Sequence, residues 1–330
     1  MRKTRVTAAL AASVLALAVT GCSGGGAQEA EETQAAACDR ECIIGVTDQY
    51  LAALAQKNQA AAPLAENVTF VENLKRLQLG EGLWQSASGG PTPFAIHVLD
   101  VTLQQAGWMG VVEQNGEPVM LALRLKLQDG RITEAEHLVT APAQGNMQHL
   151  QSVRPGLLAT IPEAQRLPHD ELIRIGATYY DALDDNDGSK TPFAADCQRL
   201  ENGMITAGEG VGPPPNSQPG APRTARDCAG QLDSQTFVYI DRIENRRMIA
   251  ADPVTGLAMG LSHFRHPMDN LPYKVTNEDG SVSERNSENM PYEPFDMPAA
   301  HIFKIGADGK MHEIEAVGVR TDYNSPTGWE

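Results

Sequence analysis

Two copies of one short motif decide the fold: DGRITEAE at residues 129–136 and DGKMHEIE at residues 308–315. In each copy an Asp-Gly turn is followed by alternating residues, which is typical of a β-hairpin strand with one apolar face. Further upstream, YLAAL at residues 50–54 matches YYDAL at residues 179–183, with an offset of 129 positions. Because these matches keep their order along the chain, we predict that one fold is present twice.

The repeat predicts where the domains begin and end. We expect a first unit at residues 38–145, a connector at 146–168 and a second unit at 169–330. The second unit carries an insertion at about 267–299, which has no counterpart in the first.

Each unit is predicted to start with a helix and to continue with strands. Apolar residues recur at helical spacing around Tyr50 and again around Tyr179. Runs with strand character follow at residues 94–99, 108–113, 119–127 and 132–139, and in the second unit at 248–251, 257–264, 301–305 and 311–317. Helices followed by a curled antiparallel sheet predict the α+β class for each unit.

The N-terminus has the features of an export signal. Basic residues precede an uncharged stretch at residues 6–19, which is too short for a membrane-spanning helix. The sequence VTGC at residues 19–22 resembles the lipobox of bacterial lipoproteins, which implies cleavage before Cys22 and lipidation of its thiol. Ordinary secretory cleavage is the alternative.

These features predict a location as well as a processing site. Residues 1–21 form the predicted signal peptide and residues 22–37 a flexible tether. A lipid anchor would hold the protein to a membrane on the extracytoplasmic side of the cell envelope. Because Ser23 follows the lipidated cysteine, we expect the outer membrane if the host is Gram-negative.

Charge and cysteine content restrict the classes of partner. The formal net charge is −16, and it becomes −19 when the leader is removed, because the leader holds three basic residues and no acidic one. Such an acidic chain is not expected to bind nucleic acid. Beyond Cys22 the chain has four cysteines, and their even number favours two disulfides over a zinc site. Nearest-neighbour pairing joins Cys38 to Cys42 and Cys197 to Cys228, although three connectivities are possible.

Several strings together resemble a secreted fungal and bacterial family that is known only as a domain of unknown function. They are CDREC at 38–42, DQYLAAL at 48–54, GEGLW at 80–84, ALRLK at 122–126 and SPTGW at 325–329. The resemblance implies units similar to the NTF2-like or SnoaL-like cone, in which helices close over a curved sheet and leave a cavity. It therefore implies two tandem cones, and it implies no established activity.

The last hairpin of the second unit offers an acid–base pair. Counting back from its turn pairs Phe303 with Glu313 and His301 with Glu315. A carboxylate on an apolar face needs a partner or a cavity, because isolation would cost several kcal/mol. We therefore predict that His301 is a general acid/base oriented by Glu315, with Glu313 nearby. The alternative is a cross-strand ion pair on a solvated face.

The strand before the insertion carries further candidates. His263 is a second possible acid/base and Arg265 a possible ligand-binding residue at the rim of the second unit. His263 and His266 are three residues apart, so on a strand they point to opposite faces and do not favour a metal site. We predict no metal at this position.

Four residues are predicted to line the cavity of the second unit. Tyr179 and Tyr180 could donate hydrogen bonds, while Arg199 could bind an acidic group beside Glu201. Core packing is the alternative for the tyrosines, and a buried ion pair is the alternative for Arg199.

The sequence leaves two functions open. One is cofactor-free acid/base catalysis on a small apolar or weakly polar molecule, of isomerase, dehydratase, lyase or hydrolase type, in the second unit. The other is a non-catalytic lipoprotein that binds a ligand or an envelope partner. The chain contains no phosphate loop, dinucleotide fingerprint or nucleophile elbow, so no cofactor is predicted.

Overall fold

Helices and strands alternate along the described chain in two similar series. A computed structural model describes residues 37–143, 146–212 and 227–330. The predicted signal peptide, the lipidation site at Cys22 and nearly all of the predicted tether lie outside these ranges. None of the helices within them has the length and apolar character that crossing a bilayer requires.

The α-helices of the described residues are Arg40–Ala55 (α1), Leu83–Ser86 (α2), Pro155–Leu158 (α3), His169–Asp184 (α4) and Cys228–Asp233 (α5). The first sheet contains Leu64–Glu72 (β1), Lys75–Leu77 (β2), Ala87–Gly89 (β3), Ala95–Asp100 (β4), Gln105–Gln114 (β5), Glu117–Gln128 (β6) and Arg131–Thr140 (β7). The second contains Phe193–Glu201 (β8), Met204–Ala207 (β9), Arg242–Asp252 (β10), Leu257–His266 (β11), Phe295–Ile305 (β14), Met311–Gly318 (β15) and Thr321–Asp322 (β16). Tyr273–Thr276 (β12) and Val282–Arg285 (β13) form a separate hairpin inside the predicted insertion.

The two large sheets have the same order of long strands. The first runs β2-β1-β7-β6-β5, with β4 paired to β5, and the second runs β9-β8-β15-β14-β11-β10. In each sheet one pair is parallel, β1 with β7 and β8 with β15, while the remaining pairs are antiparallel. The α+β class is confirmed, with two curled, mainly antiparallel sheets of the same strand order, each accompanied by a long helix. We call α1, α2 and β1–β7 the first unit, and α4, α5, β8–β11 and β14–β16 the second unit.

The long helix of each unit buries its apolar face against its own sheet. At the start of α1 the Asp39 side chain accepts a hydrogen bond from the Cys42 backbone N–H at 2.9 Å, which caps the helix. Tyr50 in α1 and Tyr179 in α4 are both buried, as their helical spacing predicts.

Two disulfides join the described cysteines. They link Cys38 to Cys42 and Cys197 to Cys228, so the predicted nearest-neighbour pairing is confirmed. Disulfides persist in oxidising compartments, and these two indicate an extracytoplasmic location.

The faces of the two sheets that point away from the long helices pack against each other. Their core combines Phe94, Ile96, Val98, Met109, Val111, Met120, Ala122 and Leu138 with Ile249, Ala250, Leu257, Met259, Leu261, Ala300, Ile302 and Val317, and with connector residues Leu150, Val153 and Leu157. The approach is close, because a Cβ added at Gly107 would lie 2.4 Å from the Met259 sulfur. Burial of this apolar surface is the main attraction between the units.

Two buried aspartates close this interface in a reciprocal way. Asp100, at the end of β4, binds His169 Nε2 at 2.8 Å and the Ala251 backbone N–H at 2.8 Å. Asp252, at the end of β10, binds Arg40 at 2.8 Å. Arg40 and His169 are the first residues of α1 and α4 and are separated by the repeat offset of 129. Each unit therefore holds the first residue of the other unit's long helix.

The hairpin that was expected to pair His301 with Glu315 has a different register. A bulge at His312 shifts the pairing after the turn, so that His301 lies opposite Ala316 and Glu315 lies opposite Ile302. A shift of one residue moves a side chain to the other face of a sheet. The predicted His301–Glu315 pair is therefore wrong.

The reciprocal contacts give a test of how the units are held together. Asp100→Ala removes a fully buried carboxylate and leaves the Ala251 N–H without an acceptor, so we expect the free energy of unfolding to fall by about 3 kcal/mol. Asp170→Ala is the matched control, because Asp170 also contacts His169 but its side chain is 98% exposed. Urea denaturation measures both. Equal losses in the two variants would contradict the importance of the buried contact.

Candidate functional site

A cavity of about 710 Å³ lies in the second unit, on the sheet face that α4 covers. This volume falls in the range of small-molecule sites. Its polar lining residues include Arg199, Glu201, Arg285 and Arg320, and its aromatic lining residues are Phe237, Tyr239, Tyr273, Tyr292 and Phe295. The predicted insertion therefore supplies one wall of the cavity.

Backbone contacts fix the insertion against the segment that precedes β10. The Tyr273 hydroxyl donates to the Thr236 carbonyl at 3.0 Å, and the Thr276 N–H donates to the Ser234 carbonyl at 3.0 Å. Asn270 donates to the Val238 carbonyl. These bonds place Tyr273 beside the cavity.

Arg199 on β8 forms part of the cavity wall and is held by three side chains. Its Nε donates to the Tyr179 hydroxyl at 2.7 Å, and its terminal nitrogens donate to Thr206 at 2.7 Å and to Glu201 at 2.6 Å. Burial alone would lower the pKa of Arg199, but the interactions with Tyr179 and Glu201 outweigh it and raise the pKa. The guanidinium is therefore charged and fixed in orientation.

The first unit uses the same tyrosine and glutamate positions differently. Tyr50 and Glu72 correspond to Tyr179 and Glu201 by the repeat offset. His137 lies between Tyr50 and Glu72, with Nε2 2.9 Å from the Tyr50 hydroxyl and Nδ1 3.2 Å from the Glu72 carboxylate. This buried network was not predicted, although His137 directly follows the repeated Glu134-x-Glu136 pattern in the sequence.

His301 lies in the interior of the second unit, behind the cavity wall. Its ring is 5.2 Å from that of Tyr179, and its Nδ1 is 3.4 Å from the Tyr180 hydroxyl. Gly260, the residue paired with it on β11, leaves room for Tyr180, since a Cβ there would lie 2.4 Å from the Tyr180 oxygen. Burial and the charge of Arg199 hold the pKa of His301 well below its usual value, so its imidazole is neutral.

The predicted cavity residues are divided between two places. Arg199 and Glu201 line the cavity, whereas Tyr179 and Tyr180 lie one layer behind it, next to His301. In the structure Arg199 binds Glu201 and Tyr179, and the Tyr179 ring contacts that of Tyr180. The sequence does not distinguish the residues that line the cavity from the residues that pack behind them.

Glu313 and Glu315 lie on the opposite face of the sheet, towards the connector. Arg154, immediately before α3, contacts Glu313 at 3.1 Å and Glu315 at 3.2 Å. Glu315 is fully buried, and burial raises its pKa to about 7 even though Arg154 lowers it. The carboxylates therefore tie the connector to β15 and do not reach the cavity. The role of Arg154 was not predicted, because Arg154 lies far from Glu315 in the sequence.

His263 and His266 point to opposite faces of β11, as their spacing predicts. His266 stacks on Phe295 at 4.2 Å, and burial lowers its pKa to about 4. Arg265 binds Asp296 and Glu244, so it is part of an ion cluster and not of the cavity lining. In the described part of the chain, no group of three or more His, Cys, Asp or Glu side chains could hold a metal ion.

Comparison with known families matches the second unit to a domain without an assigned role. Residues 165–318 match the model of a family described as a domain of unknown function (DUF8021). The search of curated proteins gave no match.

Three solved structures show low similarity to this chain. A protein from Silicibacter sp. TM1040 assigned as a polyketide cyclase is 13% identical, with 47% of this chain and 92% of that one covered and a TM-score of 0.27. SalBIII, named as an epoxide hydrolase/cyclase-like enzyme of salinomycin pyran ring formation, is 12% identical, with 46% and 92% covered and a TM-score of 0.28. A protein from Kribbella flavida DSM 17836 assigned as a ketosteroid isomerase is 15% identical, with 37% and 97% covered and a TM-score of 0.25.

The buried carboxyl of Glu315 gives a pH-dependent prediction. Because its pKa is higher in the folded chain than in the unfolded one, its contribution favours folding at low pH and is lost as pH rises from about 4.5 to about 7. Glu315→Gln does not titrate. We therefore expect the variant to gain about 3 kcal/mol of unfolding free energy relative to the parent between pH 4 and pH 8.

Urea denaturation across this pH range measures the difference. Glu163→Gln, at an exposed position in the connector, is the control and should follow the parent. A constant difference between parent and Glu315→Gln at all pH values would contradict the assignment.

Proposed function

We propose that the cavity of the second unit binds a small molecule with an acidic group on an aromatic or apolar body. The observation that carries the proposal is the concentration of three arginines, Arg199, Arg285 and Arg320, around one cavity of a chain whose net charge is −16. Because the chain as a whole is acidic, its overall charge does not explain why three arginines lie around one cavity. Arginine is also the side chain best suited to a planar carboxylate.

The N–H donors of Arg199 and Arg285 also support a ligand with an acidic group. Arg199 has five N–H groups and uses three of them on Tyr179, Thr206 and Glu201, which leaves one on each terminal nitrogen. Arg285 makes no ion pair with any described residue. A carboxylate in the cavity would therefore meet donors that the protein does not itself saturate.

The aromatic wall supports an apolar body for the ligand. Tyr239 and Phe237 form one part of it, and Tyr292 and Phe295 form another. The Arg320 guanidinium lies 4.4 Å from the Phe295 ring centroid, so a positive charge stands at the apolar surface itself. A flat molecule bearing a carboxylate fits both features.

Acid/base catalysis is the second candidate, and His301 is the residue that favours it. Its imidazole is neutral and contacts Tyr179, which binds Arg199 in the cavity wall. It does not line the cavity, and the hydroxyl within hydrogen-bonding distance of it belongs to Tyr180, which does not line the cavity either, so a catalytic role requires these side chains to reorient. Glu313, Glu315 and His263 lie on the other face of the sheet, and binding without catalysis has the stronger support. Conversion of a bound acid that persists in His301→Ala would rule out this candidate.

A binding experiment tests the leading proposal. The probe is 2-naphthoate, with neutral 2-naphthamide as its matched analogue. We expect Arg285→Gln to raise the Kd of 2-naphthoate about tenfold, since a charge-assisted hydrogen bond contributes about 1.5 kcal/mol. Arg174→Gln, on the exposed side of α4, should leave it unchanged. Isothermal titration measures both, and equal affinity for the acid and the amide would contradict an acidic ligand.

We also propose that the protein is anchored to a membrane by a lipid on Cys22, on the extracytoplasmic side, and at the outer membrane in a Gram-negative host. The VTGC sequence at residues 19–22 supports this, together with the disulfides. Cys22→Ser should move the protein from the membrane fraction to the soluble fraction of the envelope. An unchanged distribution on immunoblots would argue against the anchor.

A further inference from the structure

A second pocket, of about 260 Å³, lies where both units meet the C-terminal segment. The first unit contributes Leu138 on β7, the second contributes Leu261 and His263 on β11, and the C-terminus contributes Thr327 and Trp329. This pocket shares no lining residue with the cavity described above. It is therefore a separate place in the molecule.

The charged groups around this pocket are already paired with one another. Arg247 donates to both oxygens of Glu136, at 2.6 and 3.0 Å. Arg246 binds Asp181 at 2.6 Å and also binds Asp184. Because no charge is left for a ligand, the pocket favours a neutral molecule.

His263 is one of three polar lining groups, together with the Ser262 hydroxyl and the Trp329 indole N–H, that make no hydrogen bond within the described residues. It is only 2% exposed, and neither ring nitrogen makes a hydrogen bond within the described residues. Nε2 lies 3.3 Å from Asp296, but that carboxylate is already held by Arg265 and by the Ser325 N–H at 2.8 Å. A buried imidazole without hydrogen bonds is costly unless a partner completes it.

Burial, together with the charge of Arg265, keeps this imidazole in its neutral form. Burial lowers the pKa of His263, and the nearby Arg265 lowers it further, which outweighs the effect of Asp296. A neutral imidazole has one N–H donor and one acceptor nitrogen. It can therefore bind either a hydroxyl or a carbonyl group.

We propose that this pocket is a second ligand site, which takes a small neutral molecule with an apolar body and one hydroxyl or carbonyl group bound to His263. Leu74, Leu138 and Leu261 form the apolar lining, and Trp329 covers the body of the ligand. The pocket volume of about 260 Å³ has room for a molecule the size of a two-ring aromatic alcohol. The site is independent of the proposed function of the larger cavity.

The test uses 2-naphthol and 2-fluoronaphthalene, which differ in one hydrogen-bonding group. We expect the folded protein to bind 2-naphthol about tenfold more tightly, as one buried hydrogen bond predicts. His263→Phe should abolish this preference, because it keeps the ring and removes both nitrogens. Trp329→Ala should weaken binding of both probes, and it affects only a half-buried residue near the chain end.

Isothermal titration gives the affinities, and circular dichroism checks that each variant is folded. Arg285→Gln separates the two sites, because it alters the larger cavity and should leave 2-naphthol binding unchanged. A preference for 2-naphthol that persists in His263→Phe, or affinities unaffected by Trp329→Ala, would overturn the proposal. Loss of 2-naphthoate binding alone would concern the larger cavity and not this pocket.

Discussion

The structure depends on the face-to-face packing of its two sheets. Each sheet buries one face under its own helix and the other against its neighbour, so neither unit has a solvated sheet face at its centre. Asp100 and Asp252 then bind the helix starts of the opposite units, which fixes the relative position of the two sheets. The connector joins the same core through Leu157 and Arg154. The cavity wall and the second pocket both take their shape from this arrangement.

The two units share backbone contacts at equivalent positions but differ in the side chains of their interiors. Asn73 and Asn202 occupy equivalent positions with positive φ and bind equivalent backbone groups on the last long strand. The interior differs, because Phe70 in the first unit corresponds to Arg199 in the second. An apolar ring at this position completes a core, whereas a guanidinium recruits a carboxylate and a hydroxyl around it. One substitution thus changes the character of the interior.

Sequence patterns predicted the parts of the fold that depend on periodicity. Helical spacing located α1 and α4, and alternation located the long strands and their turns. The hairpin register could not be predicted, because a bulge at His312 has no signal in the residue pattern yet moves Glu315 to the opposite face. Contacts between segments that are far apart in the sequence leave no local pattern either. The ion pair between Arg154 and Glu315 was therefore not predicted.

The candidate site was predicted in part for the same reason. Arg199 and Glu201 were identified because they are close in the chain and belong to the repeat. Three of the five aromatic lining residues come from the insertion, and no repeat indicates which of its side chains face inward. Tyr273 and Phe295 are 22 positions apart and become neighbours of the same cavity only through tertiary contacts. Local sequence patterns therefore identify the charged residues of one cavity wall. They do not show which distant residues complete the cavity.

The disulfide between Cys197 and Cys228 has a consequence for where the cavity can exist. It closes a loop of 31 positions that includes β9 and the cavity-lining residues up to Gly212. By the chain-entropy model, such a closure removes about 4 kcal/mol of disorder from the unfolded loop. A thiol-rich environment would return that freedom to the unfolded chain and so favour unfolding of the unit that contains the cavity. The redox state of the surroundings thus acts on the stability of the frame that holds β9 and the cavity rim.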